Sequence, residues 1–266
     1  MATINRITKD KGEFYVIWLS TGATLRVSED ILVRYRLLKG QELTSEELTA
    51  LKKASSYDVG LQMAMNYLSY QLRSKKEIDH YLKDKEIALA DRQKIVQRLT
   101  EIKLLDDAVF SESYVRTMMR TSDKGPRTIA QQLKQKGISE LDIQHGLSFY
   151  TMEEQLQVAI KTAQKAMKRY RSKSFKDALQ KVRLHLTQKG FNGEIIDLAL
   201  EELNFEKDEE QEQAALQKEG DRLWRANHRL EPAKRYNKVK QSLFQKGFDY
   251  DLIQQYMEEK EQENEE

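Results

Sequence analysis

Three times this chain writes the same six-residue phrase: leucine, three spacer residues, glycine, then an apolar residue. It reads Leu133-Lys134-Gln135-Lys136-Gly137-Ile138, then Leu186-Thr187-Gln188-Lys189-Gly190-Phe191, then Leu243-Phe244-Gln245-Lys246-Gly247-Phe248. The glycines stand 53 and 57 positions apart. A fainter copy, Leu82-Lys83-Asp84-Lys85-Glu86-Ile87, lies 51 positions earlier, with Glu86 in the glycine's place. A period of this size signals stacked helical units, each too small to bury its own apolar face. Arrays of that kind usually present extended binding surfaces rather than catalytic pockets.

The apolar spacing before each phrase is helical: Ile78, Tyr81 and Leu82; Ile129 and Leu133; Leu179, Val182 and Leu186; Tyr236, Val239 and Leu243. Each glycine is placed to end its helix in the left-handed conformation. The lysine before it (Lys136, Lys189, Lys246) suits the negative end of the helix dipole. Short second helices are expected at 141–149, 194–203 and 250–257. Pro126 and Pro232 belong in first turns, where the missing N–H costs nothing. The last two glycine-ended helices read about one turn longer than the first two. The polar stretches 153–173 and 207–229 read as helices that complete three-helix units. The first thirty residues differ: turn signals at Asp10-Lys11-Gly12 and Ser20-Thr21-Gly22 flank Phe14–Leu19, which predicts strands near 3–9, 13–19 and 23–27. That sheet should pack on a helix drawn from Ile31–Leu38 or from the segment opened by the Thr44/Glu47 capping box.

The expected fold is mainly α: an elongated, curved array of three-helix repeats with a small N-terminal antiparallel β meander. The expected divisions are an extension over 1–56, repeats over 57–106, 107–152, 153–206 and 207–258, and a frayed acidic tail over 259–266. With 33% charged residues and two prolines, the composition is that of solvated helices. No cysteine is present, so disulfides, thiol chemistry and thiolate metal sites are excluded. The N-terminus shows no signal core, and the longest wholly apolar run, Phe14–Leu19, is far short of the roughly 20 residues that span a bilayer. These features predict a cytoplasmic monomer with no membrane role.

Charge is segregated. Residues 161–191 hold ten Lys or Arg and one acid, residues 194–212 nine acids and one Lys, and residues 218–246 nine bases and three acids. Stacked in register, the late repeats would carry one basic and one acidic stripe, the basic one suited to phosphates or an acidic protein surface. The plainer alternative is that neighbouring faces neutralise each other. Lys168, Arg169, Arg171 and Lys173 lie beside Tyr170, and Arg222, Arg225 and Arg229 lie around Trp224, with Lys234 and Arg235 further along the same basic stretch. Aromatics among bases can stack on nucleobases, but Tyr170 and Trp224 are more simply read as helix-packing residues. Lys124-Gly125-Pro126-Arg127 could hold an anion at a helix start, although a plain helix start is favoured. Asp106-Asp107 reads as capping, because adjacent residues do not share a helix face. His80, His145, His185 and His228 share no repeat position and no metal spacing, and no phosphate-cradling glycine loop occurs. No enzyme and no cofactor is expected.

Three segments resemble the RecX regulators of the bacterial recombinase RecA: Arg73–Leu82 (RSKKEIDHYL), Leu104–Arg116 (LLDDAVFSESYVR) and Lys124–Ile138 (KGPRTIAQQLKQKGI). With the later repeats the resemblance covers about residues 58–255, and the N-terminal meander is similar to an extension of longer Gram-positive members. Glu86 departs from the family's glycine, so the first helix is expected to end less sharply. The resemblance implies a protein that lies in the groove of the RecA–single-stranded DNA filament. There it would restrain filament extension, ATP hydrolysis, coprotease action and strand exchange, and so recombination, DNA repair and the SOS response. Lys124, Arg127 and the late basic residues named above are then the candidate contacts to filament or DNA. A general single-stranded nucleic-acid-binding module, competing for DNA, is the alternative, and a structural adaptor a third reading.

Overall fold

The computed structural model describes residues 1–10 and 12–265. Its elements are β1 (Ala2–Lys9), β2 (Phe14–Leu19), β3 (Thr24–Ser28), α1 (Glu29–Arg34), β4 (Glu42–Leu43), α2 (Ser45–Leu68), α3 (Lys75–Asp84), α4 (Leu89–Glu101), α5 (Asp107–Thr121), α6 (Pro126–Gln135), α7 (Glu140–Leu147), α8 (Met152–Tyr170), α9 (Phe175–Lys189), α10 (Gly193–Leu203), α11 (Glu209–Ala226), α12 (Pro232–Gln245) and α13 (Tyr250–Glu265). The chain is mainly helical and divides into two compact units, one of residues 1–113 with 133–146, the other of residues 114–132 with 147–266.

In the first unit the antiparallel sheet runs β3-β2-β1-β4. The three expected strands are present, and alternation along β1 and β2 turns Ile4, Ile17 and Leu19 onto Val27, Ile31, Leu37, Leu43 and Leu51. The two-residue β4 was not foreseen, because two residues carry no alternation. The helix expected within 31–38 starts earlier, on the Ser28 cap, and stops at Arg34; Arg36 then turns back at φ 49°. The Thr44/Glu47 capping box forms with both reciprocal bonds. The α2 helix runs unbroken through residue 56. Its Ser55 hydroxyl donates to the Arg26 carbonyl (2.5 Å) on the sheet side, and Ala64, further along, joins the core of Ile78, Leu82, Ile95 and Leu99.

The three-helix units are α2–α4, α5–α7, α8–α10 and α11–α13. In the second unit, Ala163, Val182, Leu186, Phe191, Ile195 and Ala199 form one core and Leu216, Val239, Leu243, Phe248, Ile253 and Tyr256 another. The α9 and α12 helices are longer than α3 and α6, as their sequence spacing predicts. At the far end α13 continues as helix through Glu265, where a frayed tail was expected; Glu266 lies outside the described residues. Acids at 258, 259 and 261 are interspersed with Lys260 and Gln262, and Glu, Gln and Lys are good helix formers.

The repeated phrase is a Schellman C-cap. Gly137, Gly190 and Gly247 sit at φ 82°, 95° and 84°. The N–H of the following apolar residue returns to the leucine carbonyl five positions back: Ile138 to Leu133 (3.1 Å), Phe191 to Leu186 (3.2 Å), Phe248 to Leu243 (3.4 Å). Both side chains of each pair are buried, the apolar contact that accompanies this motif. The first repeat corrects one expectation. Its helix ends as sharply as the others, with Ile87 N–H on Leu82 O (3.1 Å) and Glu86 itself at φ 61°.

The glycines do more than turn the chain. A Cβ built on Gly137 would lie 2.6 Å from Lys76, one on Gly190 2.5 Å from the Thr128 amide nitrogen, and one on Gly247 3.1 Å from the Ser174 hydroxyl. Each is pressed against the start of the corresponding helix of the preceding repeat. Ser74 Oγ donates to Lys136 O (2.8 Å), Gly125 N to Lys189 O (2.7 Å), and Ser174 Oγ to Lys246 O (2.5 Å). The start of one helix therefore meets the end of the next repeat's helix, positive dipole end to negative, and orphan carbonyls find donors. Glu86 belongs to the first repeat, which has no preceding one to abut it, and its side chain is exposed. A side chain fits there at a conformational cost alone.

Two stability tests follow from this difference. Glu86→Gly should raise unfolding free energy by about 1 kcal/mol, the cost of a left-handed L-residue less the added freedom of the unfolded chain. Gly190→Ala should lower it by more than that, because the methyl group also meets backbone. Denaturant midpoints decide both; a neutral Gly190→Ala would show that the junction yields.

Candidate partner-binding interface

The long helix α8 buries Ala159, Ile160, Thr162, Ala163 and Ala166 on one side. That fixes Lys161, Lys165 and Lys168 on the other, at i, i+4, i+7 spacing and all exposed, with Arg169 beside them. The helix α11 repeats the arrangement. It buries Glu212, Ala215, Leu216 and Gly220 and exposes Lys218, Arg222 and Arg225, with Arg229 just past its end. The offset from Lys161 to Lys218, Lys165 to Arg222 and Lys168 to Arg225 is 57 positions, the same as from Gly190 to Gly247. Lys161, Lys165 and Lys218 stood outside the candidate set; the shared offset was the signal that could have found them.

Neutralisation is partial. Arg183 pairs with Asp197 (2.5 Å), Lys181 with Asp177 (2.5 Å), Lys234 with Glu231 (3.0 Å), and Arg222 and Lys246 both with Glu219 (2.6 and 3.1 Å). Lys161, Lys165, Lys168, Arg169, Arg171, Lys173, Lys218, Arg225 and Arg229 make no side-chain ion pair among the described residues. His185 is held below its ordinary pKa by burial and then by the nearby charges of Lys189 and Arg169. A proton is resisted there first because burial disfavours the charged ring and then because the surroundings are already positive.

The remaining candidates divide. Arg235 is half-buried: its Nε and Nη2 donate to the Trp224 carbonyl (3.0 and 2.8 Å), and its guanidinium carbon lies 3.9 Å from the indole centroid. Tyr170 and Trp224 each pack against the core of their repeat while remaining partly open. The amides at the Lys124-Gly125-Pro126-Arg127 turn are occupied, with Gly125 N on Lys189 O and Arg127 N on Gly190 O (3.2 Å). An anion would find no free donor on those two amides, so only the side chains of half-buried Lys124 and exposed Arg127 face outward chemistry.

Two carboxylates complete the junctions. Asp106 caps its own helix, accepting from Ala108 and Val109 amides (2.9 and 3.2 Å), while Asp107 accepts from Lys75 N (3.0 Å), the first amide of α3. Buried Glu212 does the same for Phe175 N (2.7 Å), the first amide of α9. At the intervening junction the first residue of α6 is Pro126, which has no N–H to satisfy. Burial raises the pKa of both Asp107 and Glu212 in spite of these bonds. Glu219 moves the other way: the Arg222 hydrogen bond first, against burial, and then Lys246 hold it at about 2. At Asp123, burial is outweighed by the hydrogen bond and charge of Lys189 (2.6 Å), and the pKa is lowered.

Comparison with known proteins matches this architecture repeat by repeat. The family model for the first three-helix domain of RecX matches residues 61–99, that for the second residues 106–147, and that for the third matches twice, at 153–200 and 209–257. "Regulatory protein RecX" of Enterococcus faecalis is 76% identical over the full length of both chains. That of Levilactobacillus brevis is 39% identical over 97% of each. Among solved structures, a "Crystal structure of regulatory protein RecX" is 35% identical, covers 76% of this chain and all of its own, and superimposes with a TM-score of 0.61. The structure of RecX from Lactobacillus salivarius is 38% identical, covers 57% of this chain and 98% of its own, with a TM-score of 0.54.

Acid titration separates the two kinds of carboxylate. A lowered pKa adds stability above the unfolded value and loses it as pH falls toward the folded one, so Glu219 should make the protein weaken between about pH 5 and 2. Glu219→Gln should be less stable at pH 7 and show a shallower decline on that limb. Glu212, with its pKa raised, acts in reverse. Glu212→Gln keeps an acceptor for Phe175 N and should cost little at pH 7, whereas Glu212→Ala should cost about 1–3 kcal/mol by orphaning that amide. Thermal unfolding across pH measures both.

Proposed function

Because this chain belongs to the RecX family, we propose that it regulates the recombinase RecA in the cytoplasm, as a non-catalytic monomer that binds the RecA–single-stranded DNA filament along its groove. The observation that carries this reading is the duplicated basic row on α8 and α11, without ion pairs among the described residues over most of its length and held at equivalent positions by two copies of one repeat. Two equal rows suit a partner that itself repeats, as a filament of identical protomers on a phosphate backbone does. Contact at two sites gains by effective concentration when the spacing fits. A protein so seated opposes filament growth and the subunit rearrangement that ATP turnover needs, and strand exchange slows with them. RecA ATPase on single-stranded DNA should fall with substoichiometric protein; an unchanged rate at every ratio defeats the proposal.

The competing reading, a general single-strand binder, draws on the same rows. Salt separates the two. Phosphate contact alone weakens steeply with salt and needs no recombinase, whereas a filament partner prefers RecA-coated strands at physiological salt. Lys161→Glu, Lys165→Glu and Lys168→Glu together should lower filament affinity at least tenfold while leaving the unfolding midpoint nearly unchanged, because all three are exposed. Removal of the last repeat beyond Glu206 should weaken filament binding far more than it unfolds the rest; equal affinity of the shortened protein would refute two-site contact.

A further inference from the structure

The third and fourth repeats share their core pattern at the 57-residue offset, Val182 with Val239, Leu186 with Leu243 and Phe191 with Phe248. They differ where α11 turns into α12. Where the third repeat has Met167, Ala178 and Leu179, the fourth has Trp224, Arg235 and Tyr236. These three larger side chains, with His228, Asn237 and Glu261, line an open cleft of about 860 Å³ where α11 turns into α12. That volume is within the roughly 300–1,000 Å³ typical of sites that take small molecules or single groups. At these three positions the third repeat has no aromatic and no cationic side chain.

The lining has the chemistry of nucleobase recognition. The guanidinium of Arg235 is fixed over Trp224 by two hydrogen bonds to the backbone, so the pair is a stacked, cationic plate already in place. Tyr236 adds a second aromatic wall. Asn237 and Glu261 offer an amide and a carboxylate of the kind that bond base edges. Outside the cleft Arg225, Arg229 and Lys234 are exposed, the first two without ion pairs among the described residues and at the spacing of the α11 basic row. We propose that this cleft seats an unpaired base of single-stranded nucleic acid, stacked against Trp224–Arg235 and Tyr236, while Arg225, Arg229 and Lys234 hold the flanking phosphates. Aromatic and guanidinium planes stack on any base, and basic neighbours track the backbone. The inference deepens the proposed function by adding direct contact with the strand, and it distinguishes the fourth repeat from the third.

The chain holds two tryptophans, Trp18 and Trp224, so Trp18→Phe isolates the signal of the cleft. That full-length variant is titrated with a thymine dodecamer and with an abasic deoxyribose-phosphate strand of equal length. The thymine strand should quench Trp224 emission and bind about tenfold more tightly than the abasic one, as expected for loss of stacking. Trp224→Met with Tyr236→Leu, which installs two of the three residues of the third repeat and removes both aromatic walls, should bind both labelled strands equally, at the abasic affinity. Equal binding of the two strands by the Trp18→Phe protein, which needs no change in the cleft, overturns the proposal. So does a base preference that survives the double substitution. RecA ATPase measured on the same proteins keeps the two readings apart: regulation without base preference removes the cleft alone, and absence of both binding and regulation removes both.

Discussion

The rest of the structure depends on the closure of one helix end against the beginning of another. An α-helix leaves carbonyls unsatisfied at its C-terminus and amides unsatisfied at its N-terminus. In this chain the two deficits meet. The glycine turns the C-terminus back on itself, and the bare face of its backbone lets the first turn of the preceding repeat's helix approach to hydrogen-bonding distance. Ser74, Gly125 and Ser174 supply the donors, and Lys136, Lys189 and Lys246 supply the carbonyls. The lysine side chains reach acids, Lys136 to Glu77, Lys189 to Asp123 and Lys246 to Glu219. Dipole, hydrogen bonds and ion pair are concentrated in one place, and the packed cores lie between such places.

This arrangement explains how much could be read in advance. The Leu-x-x-x-Gly-apolar phrase is a local motif, and local motifs are visible in one dimension: leucine position, glycine conformation and the returning amide are separated by five residues. The helices, the C-caps, the Thr44/Glu47 box and three of the four strands were legible for that reason. Glu86 misled because glycine was taken as the requirement and φ as its consequence. The backbone angle is what the motif needs, and Glu86 meets it where no neighbour crowds the Cβ. The partners of Asp107 and Glu212 were illegible, since each lies more than thirty residues from the amide it serves.

The candidate interface was legible in composition more than in geometry. The charge blocks identified the basic stretches, but a count cannot distinguish Arg235, spent on the Trp224 carbonyl, from Arg229, which has no ion pair among the described residues. The repeat offset can. Superposing the third and fourth repeats in sequence predicts which positions face outward, and it would have added Lys161, Lys165 and Lys218. At Gly125-Pro126 the sequence does not say whether the amides of the turn are occupied; Gly125 N and Arg127 N are, on Lys189 O and Gly190 O.

The three junctions also use different acceptors, and this has a consequence for how such a chain can change. Where the first helical residue has an N–H, an acid on the following repeat answers it, Asp107 in one case and Glu212 in the other; where it is Pro126, none is required. The repeats are therefore not interchangeable parts. Duplicating or reordering them would set a buried carboxylate against a proline ring, or leave an amide facing nothing. The order of the repeats is written into the chemistry of their boundaries, and an array of this kind lengthens most readily by copying a repeat together with the boundary it already fits.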